Sequence, residues 1–203
     1  MKFSIVASAL TLGLATAAPA ADAQHWPGLC LSKPEADAYI QKFIGVFGRT
    51  DPNARQTGEK ILADDFMEYS NSIRSLQDLP VGNLPMLVQL MTDRRQLDPN
   101  GNSIAAASKE EWLGGVLNAP QTKGINTIAT YVTDCNKIIW FWNFKGVGSS
   151  QYPVRGFNLF TTSRKNGQIQ TDRLDIEFDS ISWGRDSGLK VSNFIPATSP
   201  HKE

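Results

Sequence analysis

Asp175, Glu177 and Asp179 alternate along one segment, with Arg173 just upstream. In a β-strand alternate residues point to the same side, so this spacing puts the four on one face, about 6.6 Å apart. Carboxylates gathered in a partly dry cleft raise one another's pKa and can act as a general base near neutral pH. On a solvated face they are ordinary surface charge. Asp65, Tyr69 and Arg74 lie close together earlier in the chain. A carboxylate, a phenol and a guanidinium can protonate or clamp a carbonyl, or simply pair at the surface. Asp65, Tyr69, Asp175 and Glu177 are therefore the candidate catalytic residues.

A second pattern is aromatic. Trp140, Trp142 and Phe144 share one face of a strand, and Tyr131 lies across from Trp140 if the turn from Asp134 to Lys137 has a two-residue loop. Such a wall either lines a pocket for a flat or greasy ligand or is core. With Asn158 on the adjacent strand, the candidate ligand contacts are Tyr131, Trp140, Trp142 and Asn158.

Histidine supplies the clearest exclusion. The chain has two, His25 and His201, each near an end. A histidine-dependent triad in the core and a Cys-His zinc site of ordinary spacing are thereby excluded. No G-x-S-x-G elbow, G-x-x-x-x-G-K-[ST] loop or G-x-G-x-x-G turn occurs. No metal and no cofactor is expected. Lysine plus arginine and aspartate plus glutamate number 20 each, a balance that does not favour nucleic acid or an anionic membrane.

The N-terminus reads as an address. Lys2 precedes an apolar stretch from Ile5 to Leu14 and a run of small residues from Ala15 to Ala23, the pattern of a secretory signal peptide over residues 1–20, with cleavage fitting after Ala17, Ala20 or Ala23. The apolar stretch is shorter than the roughly 20 residues a membrane span needs. An extracellular protein follows from this. The two cysteines, Cys30 and Cys135, would then form one disulfide, the alternative being two buried free thiols. Such a bond closes a loop of roughly 100 residues, worth up to about 4.7 kcal/mol on the chain-entropy account.

Helical signals dominate the first half of the remaining chain. Ser32-Lys33-Pro34-Glu35 is a capping box, and Ile40, Phe43, Ile44 and Phe47 recur at helical spacing, predicting a helix from Lys33 to Phe47 closed by Gly48. Asp51-Pro52 opens a second helix reaching Leu62, and Asp65 to Ser75 reads as a short strand or an irregular entry into the core. A third helical pattern covers Leu84 to Leu97, up to the breaker run from Asp98 to Asn102. Ser108-Lys109-Glu110-Glu111 is a second capping box, before a helix ended by Pro120.

Four antiparallel strands follow at about Ile125–Thr133, Lys137–Val147, Val154–Ser163 and Gln168–Ser180. Asn166-Gly167 is the preferred dipeptide of a type I′ hairpin. If Lys165 pairs with Gln168, then Phe157 faces Ile176 and Leu159 faces Leu174 on the core side. Gly156 opposite Glu177, Asn158 opposite Asp175 and Phe160 opposite Arg173 then make a polar side. Helices first and sheet afterwards predict a single α+β domain over residues 21–191 with a frayed tail at 192–203.

Several motifs in this order carry a resemblance: D-F-x-x-Y-S-x-S at Asp65 to Ser72, the Asp134-Cys135 turn, P-V-R-G-F at Pro153 to Phe157 and E-F-D-S-x-S-W at Glu177 to Trp183. Together they resemble a secreted fungal branch of the nuclear transport factor two-like superfamily, over about residues 30–189. The resemblance implies a cone, a strongly bent antiparallel sheet wrapped on helices around an apolar pocket. Gly156 inside a strand suits such a bend. The superfamily includes ketosteroid isomerases, scytalone dehydratases and polyketide cyclases beside members that only bind ligands or proteins, so the fold does not name a reaction. Histidine-dependent dehydratase chemistry is not available to this chain. An isomerase-like site needs an aspartate base, a tyrosine and a protonated acid, types that Asp65, Tyr69 and Asp175 supply without a motif assigning them. The resulting expectation is a secreted cone-fold protein that binds a small apolar or aromatic molecule or a protein partner. The alternative is a histidine-independent isomerase, dehydratase or cyclase using a carboxylate base and a tyrosine. A homodimer through a sheet face is a third expectation.

Overall fold

The computed structural model describes residues 30–77, 103–119 and 121–190. The expected helix from Leu84 to Leu97, the signal segment and the tail lie outside the described residues. Helix α1 spans Lys33–Phe47 and starts as its sequence dictates: the Ser32 side chain accepts from the Glu35 N–H while the Glu35 carboxylate accepts from the Ser32 N–H at 2.9 Å. Tyr39, Ile40, Phe43 and Val46 turn inward. Helix α2, Ala54–Ile61, begins later than Asp51-Pro52 suggested, because Asp51 spends its carboxylate on the Asn53 N–H and the Thr57 hydroxyl, closing a turn there.

Strand β1, Leu62–Tyr69, follows α2 directly, and helix α3, Asn71–Leu76, follows β1 with Ser70 as its cap. Strand β2 is Ile104–Ala106 and helix α4 is Lys109–Asn118. Ser108 caps α4 as expected, but the Glu111 carboxylate reaches the Ala107 N–H at 2.8 Å. The remaining strands are β3 (Asn126–Thr133), β4 (Lys137–Phe144), β5 (Val154–Lys165) and β6 (Gln168–Phe178). Helix α5, Ser180–Asp186, occupies the place where the last strand was expected to end, and Asp179 is its N-cap rather than a strand residue.

The six strands form one open sheet in the order β2-β1-β6-β5-β4-β3. It is mixed, not wholly antiparallel, because β1 lies parallel to β6 with Glu68 beside Leu174 and Tyr69 beside Asp175. The helices and sheet make the expected cone-like α+β fold. Phe43 of α1 is central to the core, touching Phe47, Trp112, Trp140 and Phe160 in ring contacts of 4.9–6.1 Å.

The β5–β6 hairpin turns at Asn166-Gly167 with both residues at positive φ, and Lys165 pairs with Gln168 as predicted. The register then slips. Thr162 pairs with Thr171 but Thr161 pairs with Arg173, leaving Asp172 as an extra residue in a β-bulge. Every partner beyond it shifts by one, and a one-residue shift exchanges the two faces of a strand. The face that changes is that of β6, where Leu174 and Ile176 are consequently buried; β5 buries Thr162, Phe160 and Asn158 in unbroken alternation, and Phe157, on its other face, is 42% exposed. The expected core pairs of Phe157 with Ile176 and Leu159 with Leu174 do not form; Phe157 pairs with Glu177 and Leu159 with Asp175, on the outer face. Tyr131 is also displaced from its expected partner. The β3–β4 turn has three residues between Thr133 and Lys137, so Tyr131 lies beside Ile139 while Thr130 meets Trp140.

Neither cysteine is free, and both are disulfide-bonded. The Leu31 N–H bonds the Cys135 carbonyl at 2.8 Å. At the far end of the sheet, Asp186 is buried and accepts from the N–H groups of Val147, Gly148, Gln151 and Tyr152 and from the Ser149 hydroxyl, at 2.6–3.2 Å. Burial alone raises a carboxyl pKa; these donors outweigh it and hold Asp186 well below the usual carboxylate range.

Gly156 is where β5 admits the Trp142 indole. A Cβ there would stand 2.6 Å from Trp142 Cζ2, 2.6 Å from Phe178 Cβ and 2.7 Å from the Glu177 carbonyl oxygen. Gly156→Ala is expected to lower stability by roughly 2–3 kcal/mol through overpacking, read as a fall in the urea midpoint at unchanged slope. A wild-type midpoint would show that β5 and β6 part freely at this point.

Candidate functional site

Along β1 the strand period puts Phe66 and Glu68 on the inner face and Asp65, Met67 and Tyr69 on the other. Glu68 is 6% exposed and lines a cavity of about 420 Å³. Its walls come from Phe47 of α1, Ile73 and Leu76 of α3, Trp112 and Val116 of α4, Ile176 and Phe178 of β6 and Trp183 of α5. Gln77, Glu111 and Thr122 add polar atoms. The volume is that of a small-molecule site.

Glu68 Oε1 accepts from Trp112 Nε1 at 2.9 Å, while Oε2 accepts no hydrogen bond among the described residues. Burial pushes the Glu68 pKa up to about 7; the Trp112 bond opposes the rise and the charge of Glu111 adds to it. A carboxyl in this state donates a proton or a hydrogen bond when neutral and accepts one when ionised, with the exchange centred near physiological pH.

The residues singled out from sequence lie elsewhere. Asp65 is exposed. Tyr69 packs under the Arg173 guanidinium, 4.0 Å from its ring centroid, on the outer face of the sheet. Arg173 makes two bonds to Asp175, of 2.8 and 2.6 Å, and this pair is partly exposed. Glu177 accepts from the N–H groups of Asn71 and Ser72, at 2.8 and 3.0 Å, and from the Ser72 hydroxyl, so it holds the first turn of α3. The row of acids does share a face, but the bulge turns that face away from the cavity. Tyr131 is 56% exposed and also points outward.

Trp140 and Trp142 point inward and are buried in the core without lining the cavity. Trp140 Nε1 bonds Thr127 Oγ1 at 3.0 Å, and Trp142 Nε1 bonds Asn158 Oδ1 at 2.6 Å. Asn158 Nδ2 is buried and has no partner among the described residues. A second, larger groove of about 570 Å³ lies between α1, α2 and the β5–β6 turn, lined by charges of both signs such as Glu35, Lys42, Lys60 and Arg164. Those charges are in contact with water, and among the described residues the buried titratable group on the groove, Tyr39, has its hydroxyl bonded to the Ile61 carbonyl.

Glu68 itself escaped the sequence reading. The signal was present in the alternation Phe66-Met67-Glu68: a strand that buries Phe66 must also bury the residue two places on.

The model of the NTF2-like domain matches residues 29–190. No curated protein matches the chain. Among solved structures, TsrD from Streptomyces laurentii is 11% identical with a TM-score of 0.47, over 79% of this chain and 99% of that one. A loop-truncation variant of IdmH is 13% identical with a TM-score of 0.47, over 75% and 99%. An NTF-2 like protein of unknown function from Silicibacter pomeroyi is 9% identical with a TM-score of 0.43, over 72% and 94%.

The raised pKa of Glu68 makes a stability signature. The folded state holds this proton more tightly than the unfolded state, where the value is near 4.5. The contribution is therefore complete below about pH 4.5 and is lost as pH rises through 7, at a total cost of about 3 kcal/mol. Glu68→Gln keeps an acceptor for Trp112 and carries no charge. It is expected to match the wild type near pH 4.5 and to exceed it by roughly 2–3 kcal/mol at pH 8 in urea denaturation. Parallel pH profiles for the two proteins would mean that Glu68 titrates as a solvated acid.

Proposed function

The chain belongs to the NTF2-like family, and on that premise we propose that it is a secreted binding protein, of the fungal branch it resembles, whose cavity takes a small, largely apolar molecule and meets that molecule's polar end with Glu68. The observation that carries this reading is a single buried carboxyl, with one oxygen unbonded among the described residues, on the wall of a cavity otherwise lined mainly by apolar side chains. An acid so placed costs stability, as a binding site does when its polar group awaits a partner. Secretion is supported by the apolar stretch and small residues that open the chain and by the disulfide-bonded cysteines.

Glu68 also supports the catalytic alternative, in which a bound isomerase, dehydratase or cyclase substrate exchanges a proton with it. In that reading Glu68 replaces Asp65, Tyr69, Asp175 and Glu177 as the acid-base group. A Cβ on Gly115, which lines the cavity, meets no atom within 4 Å. Gly115→Phe is therefore expected to fill the cavity entrance while leaving the fold intact. Screened against hydrophobic metabolites by thermal shift and tryptophan fluorescence, the wild type is expected to give saturable binding that Gly115→Phe weakens by about tenfold or more. Ligands that bind are then followed for conversion, and turnover abolished by Glu68→Gln with binding retained selects the catalytic alternative. No binding by any compound, or equal binding by Gly115→Phe, removes the cavity as the site.

The outer sheet face supports self-association. Tyr131, Phe141 and Phe157 are 56%, 40% and 42% exposed, and the Phe141 and Phe157 rings lie 5.8 Å apart on neighbouring strands. An exposed aromatic patch on a sheet face is an interface feature. Sedimentation at two concentrations is expected to show a concentration-dependent dimer that Phe141→Asp converts to monomer. A wild type that stays monomeric at both concentrations excludes it.

A further inference from the structure

The cavity has a sign. Among its described lining residues are two carboxylates, Glu68 and Glu111, and no lysine, arginine or histidine. Four aromatic rings, Phe47, Trp112, Phe178 and Trp183, share the wall with them. Phe178 and Trp183 form a tilted pair with centroids 4.7 Å apart, making one corner of the cavity. Aromatic rings carry negative charge density on their faces and attract cations, by more when water is excluded. One oxygen of Glu111 is held by the Ala107 N–H, and one of Glu68 by Trp112, leaving Glu68 Oε2 as an acceptor without a donor among the described residues.

Each class of ligand meets this wall differently. An anion would be brought against the buried Glu68 carboxyl, where reduced dielectric strengthens repulsion between like charges, with the exposed Glu111 adding to it. A neutral apolar molecule would fill the volume but would seal Glu68 from water without giving it a partner. A cation with an apolar body satisfies both features, because its charge completes Glu68 and its body covers the rings.

Resting on the reading of this cavity as a ligand site, we propose that its ligand is an organic cation, an amine or quaternary ammonium with an aromatic or aliphatic body, whose charged head sits at Glu68 Oε2 among the aromatic walls. The aromatic rings and Glu68 then act together, as in sites that recognise quaternary ammonium groups. Glu111 contributes field at longer range.

The test uses a matched pair of probes on the full mature chain: benzyltrimethylammonium and its uncharged carbon isostere, neopentylbenzene. Binding is followed by fluorescence and by nuclear magnetic resonance shifts of the Trp112 and Trp183 indole signals. The cation is expected to bind at least about tenfold more tightly than the isostere. Glu68→Gln is expected to remove that preference while leaving isostere binding in place, and Gly115→Phe to remove both. Equal or tighter binding of the isostere overturns the proposal and leaves the cavity as a site for neutral ligands. Cation binding that survives Glu68→Gln undiminished also overturns it. If neither probe moves the two indole signals and the hydrophobic compounds give no shift either, the ligand-site reading falls together with it.

Discussion

One extra residue at Asp172 decides what β6 shows to the interior. From the Asn166-Gly167 turn to Thr162 the strands β5 and β6 pair in the register the turn sets; beyond it β5 keeps its buried face, Thr162, Phe160 and Asn158, while on β6 the buried phase passes from Thr171 to Leu174 and Ile176. That exchange sends Arg173, Asp175 and Glu177 outside, where they find Tyr69, one another and the first turn of α3. It sends Leu174 and Ile176 inside, on the same face as Phe160 of β5. Because β1 joins β6 with Glu68 beside Leu174, the inner face continues onto β1 and ends in a carboxyl. Without the extra residue the alternation of β6 would have carried on from Thr171 to Arg173, Asp175 and Glu177, turning three charged residues inward.

The charges that the bulge expels are settled at little cost, since an exposed or half-exposed pair such as Arg173–Asp175 needs only local geometry. Glu68 is a different case. It gives up water for one indole N–H, and its raised pKa records the shortfall. Core positions around it are filled by Trp112, Phe66 and Ile176, so the acid is held in place by packing that does not itself need a charge. Such local expense in a well-packed domain is the usual mark of a functional position.

Local chemistry was readable where the interaction is local. Ser32 and Ser108 announce helix starts because their partners lie three residues away, and Asn166-Gly167 announces a hairpin because both residues must adopt positive φ. The alternation of Trp140, Trp142 and Phe144 marked a buried face for the same reason. What could not be read depends on residues far apart. The bulge at Asp172 answers to the curvature of the whole sheet, β1 is a strand because β6 gives it an edge and β2 because β1 does, and α5 depends on Asp179 turning into a cap at the point where the sheet runs out. Glu68 is a different matter, since its alternation with Phe66 is local and marks it as inward. Its neighbours Asp65 and Tyr69 carry more conspicuous chemistry, and only the assembled sheet shows that their side faces water.

The Asp186 clasp links the order of the chain to the order in which it can close. The loop joining β4 to β5 directs four backbone N–H groups at one carboxylate that lies more than thirty residues further along. While the protein is being synthesised, those groups have no acceptor until α5 has emerged. β4 and β5 thus remain joined by an unfinished corner even after their own ladder is available. Completion of α5 is what shuts it, so this corner is sealed from its C-terminal side, and a chain halted just short of Asp186 keeps nearly all of the described core residues without the catch that holds them.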